Sequence, residues 1–273
     1  MSARNSQAVR SAARDRLRAE RERQAKKEKL KRQLIVAASI VGVLAAAGGA
    51  GYLIIHANKP DAWEAAKNAK LVQPSNTTGK DGTTVILGKA DAKKTLKIYE
   101  DARCPICAQF EQAVGPTIEN DLKNGKYKVE FIGATFVDRT IPGEGSRNAL
   151  SALGAALNVS PDAFLAYKHE LYSAKYHPAE ADDKFKSDKY LIEVADQVPA
   201  LKNNASFRKA VEDGTYDRWA LEMSKKFDNN KDGIEGTPSF VMDGKKLSGA
   251  NGKSVLMTVA DYNAAIDTAL AGK

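Results

Sequence analysis

Cysteine is scarce in this chain: its 273 residues hold two, Cys104 and Cys107, three positions apart. Without a third, neither a second disulfide nor a four-thiolate zinc site is possible. Histidine is equally sparse, with His56, His169 and His177 the only three, and a metal centre would need more ligands than these supply. Charge is absent from Leu34 to Ile55. Net charge is absent from everything beyond that stretch, where 30 Lys/Arg face 30 Asp/Glu. The whole formal excess of +8 therefore lies in the first 33 residues, which carry 12 basic and 4 acidic side chains. The pI near 9.2 says nothing for nucleic-acid binding, which needs a basic face on the folded domain itself. What is present is a globular balance, 43% hydrophobic and 28% charged. The length suits one domain with extra segments, or two small ones.

The 22 uncharged residues from Leu34 to Ile55 would make about 33 Å of helix, enough for a hydrocarbon core of about 30 Å. Lys26, Lys27, Lys29, Lys31 and Arg32 crowd the N-terminal side. The positive-inside rule then puts residues 1–33 in the cytoplasm as a basic tail, 34–55 across the membrane, and the rest outside. A cleaved signal peptide is the competing reading. Its n-region would be 33 residues long, and the apolar stretch exceeds the 7–15 residues of a signal core. Residues 56–82 read as a linker holding the domain off the membrane. Within it, Asp61–Lys70 suits a short helix with Trp63 near the membrane surface, and Gln73-Pro74-Ser75-Asn76 begins a turn.

Residues 83–273 read as α/β. Thr83–Gly88 and Leu96–Glu100 suit strands. Cys104 follows at once, and Phe110, Val114, Ile118 and Leu122 recur at helical spacing until Gly125 stops the pattern. Lys128–Ala134 is the next strand, so a parallel pair joined by a crossover helix is expected. Helical patterns then fill about 144–228: Ser146–Asn158, a start at Ser160-Pro161-Asp162, Ser187–Val198, Ser206–Val211, and a stripe of Tyr216, Trp219, Met223 and Phe227 read as core. Pro238–Met242 and Lys245–Leu247 form a hairpin about Asp243-Gly244, and Ser254–Leu270 suits a closing amphipathic helix. The run from Asp228 to Gly233 starts like a calcium-binding loop. Its twelfth position is Ser239 rather than glutamate and Pro238 precedes it, so a plain turn is expected.

The chemistry sits where strand gives way to helix. The first turn of a helix has unsatisfied N–H groups and a positive dipole end, which stabilise a thiolate and lower a thiol pKa from about 8.5 toward 3.5–7.5. Cys107 lies one turn on and can resolve a mixed disulfide. Pro105 suits the first turn, where its missing N–H has no partner anyway. A purely structural bridge across two residues remains open but would be a poor staple, about 2 kcal/mol against nearly 5 for a loop of about 100 residues.

Cys104-Pro105-Ile106-Cys107 followed by Phe110-Glu111, the preceding Ile98-Tyr99-Glu100-Asp101, and Gly233-Ile234-Glu235-Gly236-Thr237-Pro238-Ser239-Phe240 together resemble the DsbA-like branch of the thioredoxin superfamily. The resemblance spans roughly Gly82 to Lys273. It implies a thioredoxin fold with a large inserted helical domain, here preceded by the single transmembrane helix. It further implies an extracytoplasmic thiol–disulfide oxidoreductase in the cell membrane, with Cys104 as exposed nucleophile, Cys107 as buried resolving thiol, and a redox-active Cys104–Cys107 disulfide. Pro238 is expected to be cis, with the Thr237 backbone free to pair with an extended substrate. Glu111 falls where the family has a carboxyl beneath the disulfide, a relay for the Cys107 proton; the alternative is an exposed acid favourable to the helix dipole. Ile106 stands where strong oxidases have histidine, and Thr237 where the strongest have valine, so the oxidising strength is left open. No cofactor or metal is implied. The implied partners are exported protein thiols and a quinone-linked membrane protein of the DsbB or vitamin K epoxide reductase-like type. A reductase or isomerase, and a non-catalytic tethered binding module, are the alternatives.

Overall fold

A computed structural model describes residues 62–249 and 255–272. The basic tail and the anchor expected over 34–55 lie outside these residues. Among the described residues no helix is long and apolar enough to cross a membrane.

Five strands form one sheet in the order β1-β3-β2-β4-β5: β1 Val85–Leu87, β2 Thr95–Asp101, β3 Lys128–Ala134, β4 Ser239–Met242 and β5 Lys245–Leu247. β2 and β3 are parallel, from Thr95 beside Lys128 to Asp101 beside Ala134. The other pairs are antiparallel. The crossover between β2 and β3 is α2, Pro105–Asn124, stopped by Gly125 in the left-handed region at φ 71°. Strand alternation separates the two sheet faces. Ile98 and Phe131 belong to the buried core on one side, and Phe110 of α2 packs its ring on Phe240 of β4 at 4.6 Å. On the other side Tyr99 meets the edge of Phe227 at 6.2 Å.

The chain between β3 and β4 is helical: α3 Val137–Thr140, α4 Gly145–Val159, α5 Pro161–Tyr172, a 3₁₀ turn at Lys184–Lys186, α6 Asp188–Ala195, α7 Ala205–Glu212 and α8 Asp217–Asp228. Local chemistry sets several starts: Ser160 accepts from Ala163 N, Ser187 from Tyr190 N, and Asn204 from Phe207 N. The stripe Tyr216, Trp219, Met223 and Phe227 is fully in the core.

Two expectations need correction. The segment after residue 61 is not a spacer in its described part. Its helix α1, Ala62–Asn68, buries Trp63 to 4% exposure in the main core, with the Arg147 guanidinium 5.0 Å from the ring centre. Ser75 N and Oγ both donate to Asn158 Oδ1, Asn76 Nδ2 donates to Leu157 O, and Trp219 Nε1 donates to Gly82 O. An indole of this size gains on the order of 3 kcal/mol from burial, so Trp63 belongs to the domain rather than to the membrane surface. The closing helix, α9, starts at Val259, not Ser254, because Thr258 caps it by accepting from Asp261 N. Leu256 is buried ahead of the helix.

Candidate functional site

The register of β2 and β4 builds the site. Tyr99 lies opposite Ser239, so the exit of β2 faces the entry of β4. Cys104 thereby meets Thr237 and Pro238, and the Thr237–Pro238 peptide is cis. Cys104 is the N-cap of α2 and Pro105 its first residue. The Cys104 sulfur accepts from Cys107 N at 3.4 Å and donates to Thr237 O at 3.5 Å. Both cysteines are free thiols. Cys104 keeps 7% of its surface and Cys107 none, while Ile106 between them is 42% exposed. Thr237 Oγ1 is buried alongside without a well-formed hydrogen bond. Cys104, Cys107, Ala108, Val137 and Tyr172 form an apolar cluster of their own, separate from the main core.

The two sulfurs are driven apart in acidity. The Cys104 thiol is lowered to about 7: the hydrogen bond from the Cys107 thiol outweighs burial, with further help from Thr237 and the Cys107 and Ile106 N–H groups. The Cys107 thiol is pushed well up by burial, then by its bond to Cys104 and the nearby charges of Cys104 and Glu100.

Beneath the sulfurs lies a charge cluster that sequence reading found only in part. Glu111, one turn after Cys107, is 4% exposed, which excludes the exposed-acid reading. Lys168 of α5 reaches Glu111 Oε2 at 2.5 Å and Glu100 Oε2 at 3.1 Å. His169 Nδ1 lies 3.5 Å from Glu111 Oε1. Burial alone would raise the Glu111 carboxyl, but Lys168 and His169 bring it down to about 2. Glu100 is the carboxyl whose charge reaches Cys107, and burial raises it despite Lys168. Of the two carboxyls, Glu100 is the one whose charge acts on Cys107, while Glu111, expected as the relay, is paired with Lys168 and His169. One signal for Lys168 was present in the sequence. It falls four residues after Phe164 and three before Leu171, inside the apolar stripe of its helix, where a lysine needs a buried partner.

A thioredoxin family model matches residues 80–267. The chain belongs to the thioredoxin family. Among curated relatives, disulfide bond formation protein D of Bacillus subtilis is 25% identical over 180 residues, 65% of this chain and 72% of that one. Among solved structures, oxidised BdbD from Bacillus subtilis superposes with a TM-score of 0.55 at 22% identity, covering 74% of this chain and all of that one. MdbA, a thiol-disulfide oxidoreductase from Corynebacterium diphtheriae, gives 0.52 at 20%, covering 68% and 94%. Reduced DsbA from Mycobacterium tuberculosis gives 0.51 at 21%, covering 72% and 97%. These identities speak for the fold. Within the thioredoxin family the chain is a DsbA-like thiol–disulfide oxidoreductase.

Proposed function

We propose that this oxidoreductase donates disulfides to exported proteins. A substrate thiolate attacks the Cys104 sulfur of the Cys104–Cys107 disulfide. The S–S bond breaks, and Cys107 leaves as a thiolate and takes a proton. A second substrate thiolate then attacks the substrate sulfur of the mixed disulfide, and Cys104 leaves. The substrate loses two electrons and the protein gains them. Leaving thiols of lower pKa depart faster, so the observation that carries the exchange chemistry is Cys104 at the N-cap of α2, lowered to about 7, beside a buried Cys107 that stays protonated. Thr237 and Pro238 line the site, with the Thr237 backbone serving the substrate chain and Pro105 and Ile106 shaping the first turn.

The charge-free run at 34–55 and its basic flank support a single-pass anchor in the cell membrane. The tail 1–33 is then cytoplasmic and the catalytic domain extracytoplasmic, where disulfides persist. Re-oxidation there requires a two-electron acceptor, for which a quinone-linked membrane protein of the DsbB or vitamin K epoxide reductase-like type is our proposal. The relative's printed name, a disulfide bond formation protein, supports the oxidase direction. One observation favours the reductase alternative. A Cys104 pKa of about 7 sits with thioredoxin at about 7 rather than DsbA at about 3.5.

The test is transfer. The oxidised protein, mixed with a reduced unfolded dithiol protein, should leave one disulfide in the substrate per molecule of enzyme, read by titrating the remaining thiols. A substrate that stays reduced, while the reduced enzyme opens substrate disulfides instead, would reverse the direction.

A further inference from the structure

The residue before the nucleophile is an arginine with almost no surface. The Arg103 side chain is 1% exposed, and both terminal nitrogens of its fork are hydrogen-bonded. Nη1 donates to Asp138 Oδ1 at 2.8 Å and Ile141 O at 3.1 Å, and Nη2 donates to Glu180 O at 3.0 Å. Nε lies 3.4 Å from Asp183 Oδ1. Every one of these partners belongs to the helical chain between β3 and β4. The same carboxylates hold the start of α4: Asp138 accepts from Ser146 N and Arg147 N, and Asp183 from Glu144 N and Gly145 N. A methyl group on Gly143 would lie 2.3 Å from Arg103 Nη1, and one on Gly145 would lie 3.1 Å from Arg103 Cδ, so both glycines leave the space that the guanidinium fills.

The backbone on either side of Arg103 is fixed from the same direction. Asp101 Oδ1 accepts from Arg103 N and from Ser146 Oγ, and Oδ2 accepts from Val137 N. Ala102 O is bonded by His177 Nε2 at 3.1 Å. Cys104 N then donates to Asp101 O at 3.0 Å, which sets the extended Cys104 conformation, φ −72° and ψ 117°, of a capping residue.

We propose that Arg103 is a positioning residue of the exchange reaction: its buried fork, gripped by the helical insertion, holds Asp101–Arg103 so that the Cys104 sulfur caps α2. Asp138 and Asp183 balance its charge. Its effect is geometric, through the sulfur's distance from Cys107 and the first-turn N–H groups. The guanidinium fork matters and the charge alone does not suffice, because an ammonium cannot direct three fixed donors at Asp138, Ile141 and Glu180. The proposal rests on Cys104 being the reactive thiol but not on the direction of electron flow.

The experiment is the pH profile of Cys104 alkylation by iodoacetamide in the full-length protein, reduced beforehand, with Arg103→Lys and Asp183→Asn as variants. Phe164→Leu serves as the control; this core ring packs on Phe131 at 5.0 Å and lies outside the cage. Arg103→Lys should move the profile up by about one pH unit, and so slow alkylation at pH 7 about fivefold, while Phe164→Leu lowers the melting temperature without moving it. Should Arg103→Lys fail to fold, Asp183→Asn decides by the same shift. A profile unmoved in folded variants, with only the melting temperature lowered, overturns the proposal. A parent protein whose Cys104 does not titrate below pH 8 overturns it together with the assignment of Cys104 as nucleophile.

Discussion

Lys168→Met is expected to destabilise the protein by about 3–5 kcal/mol at neutral pH, because it leaves two buried carboxylates without their cation. Lys168 is 9% exposed on its side chain, Glu100 1% and Glu111 5%, so water does little to replace the lost partner. The deficit should depend on pH in a definite sense. In the parent, Glu111 titrates near 2 in the folded state, below its ordinary 4.5. Its contribution is present above about 4.5 and is lost as the pH falls through 2. In the variant burial acts on both carboxyls with only His169 left beside Glu111, so both titrate higher than in the parent and favour the folded state less when ionised. The gap between parent and variant must then narrow from pH 7 to pH 4. Urea unfolding at the two values measures it. An equal loss at both, or a loss below about 1 kcal/mol at pH 7, would show that Lys168 does not neutralise this pair.

The second large effect separates the two sulfurs. Cys104→Ser should reduce disulfide transfer to background, since a hydroxyl at the N-cap is not ionised at neutral pH and forms no disulfide. Cys107→Ser should keep the attacking thiol and lose the resolving one, so when Cys104 attacks a substrate disulfide the resulting mixed disulfide is not resolved and accumulates as an adduct on a non-reducing gel. The asymmetry follows from burial, which leaves Cys104 as the one of the two cysteines that keeps any surface. Trapping by the Cys104 variant instead would exchange the two roles. Full biological effect of the Cys104 variant would favour a tethered binding module.

The strands, the crossover helix and the hairpin turn were legible because each carries a local signal: alternation in Thr95–Asp101, fourfold spacing in α2, Asp243 and Gly244 both at positive φ in the turn. Cys104 and the Thr237-Pro238 segment could be associated through the family resemblance, and the antiparallel register of β2 with β4 is what brings them together. Long-range partnerships left no such trace. Lys168 is 57 residues from Glu111, and Asp183 is 80 from Arg103; only the folded insertion makes them neighbours. Trp63 was misplaced for the same reason. An aromatic beside a presumed membrane segment suits an interface as well as a core, and Arg147, its cation partner, lies 84 residues away.

The reduction potential of the protein, equilibrated against glutathione at pH 7, tests the central claim most directly. A disulfide donor should lie between about −120 and −180 mV. The thiolate stabilisation at Cys104 is moderate and Ile106 offers no imidazolium, so we expect the weaker end of that range. A value near −270 mV, that of thioredoxin, would contradict the oxidase account and make the same site a reductase.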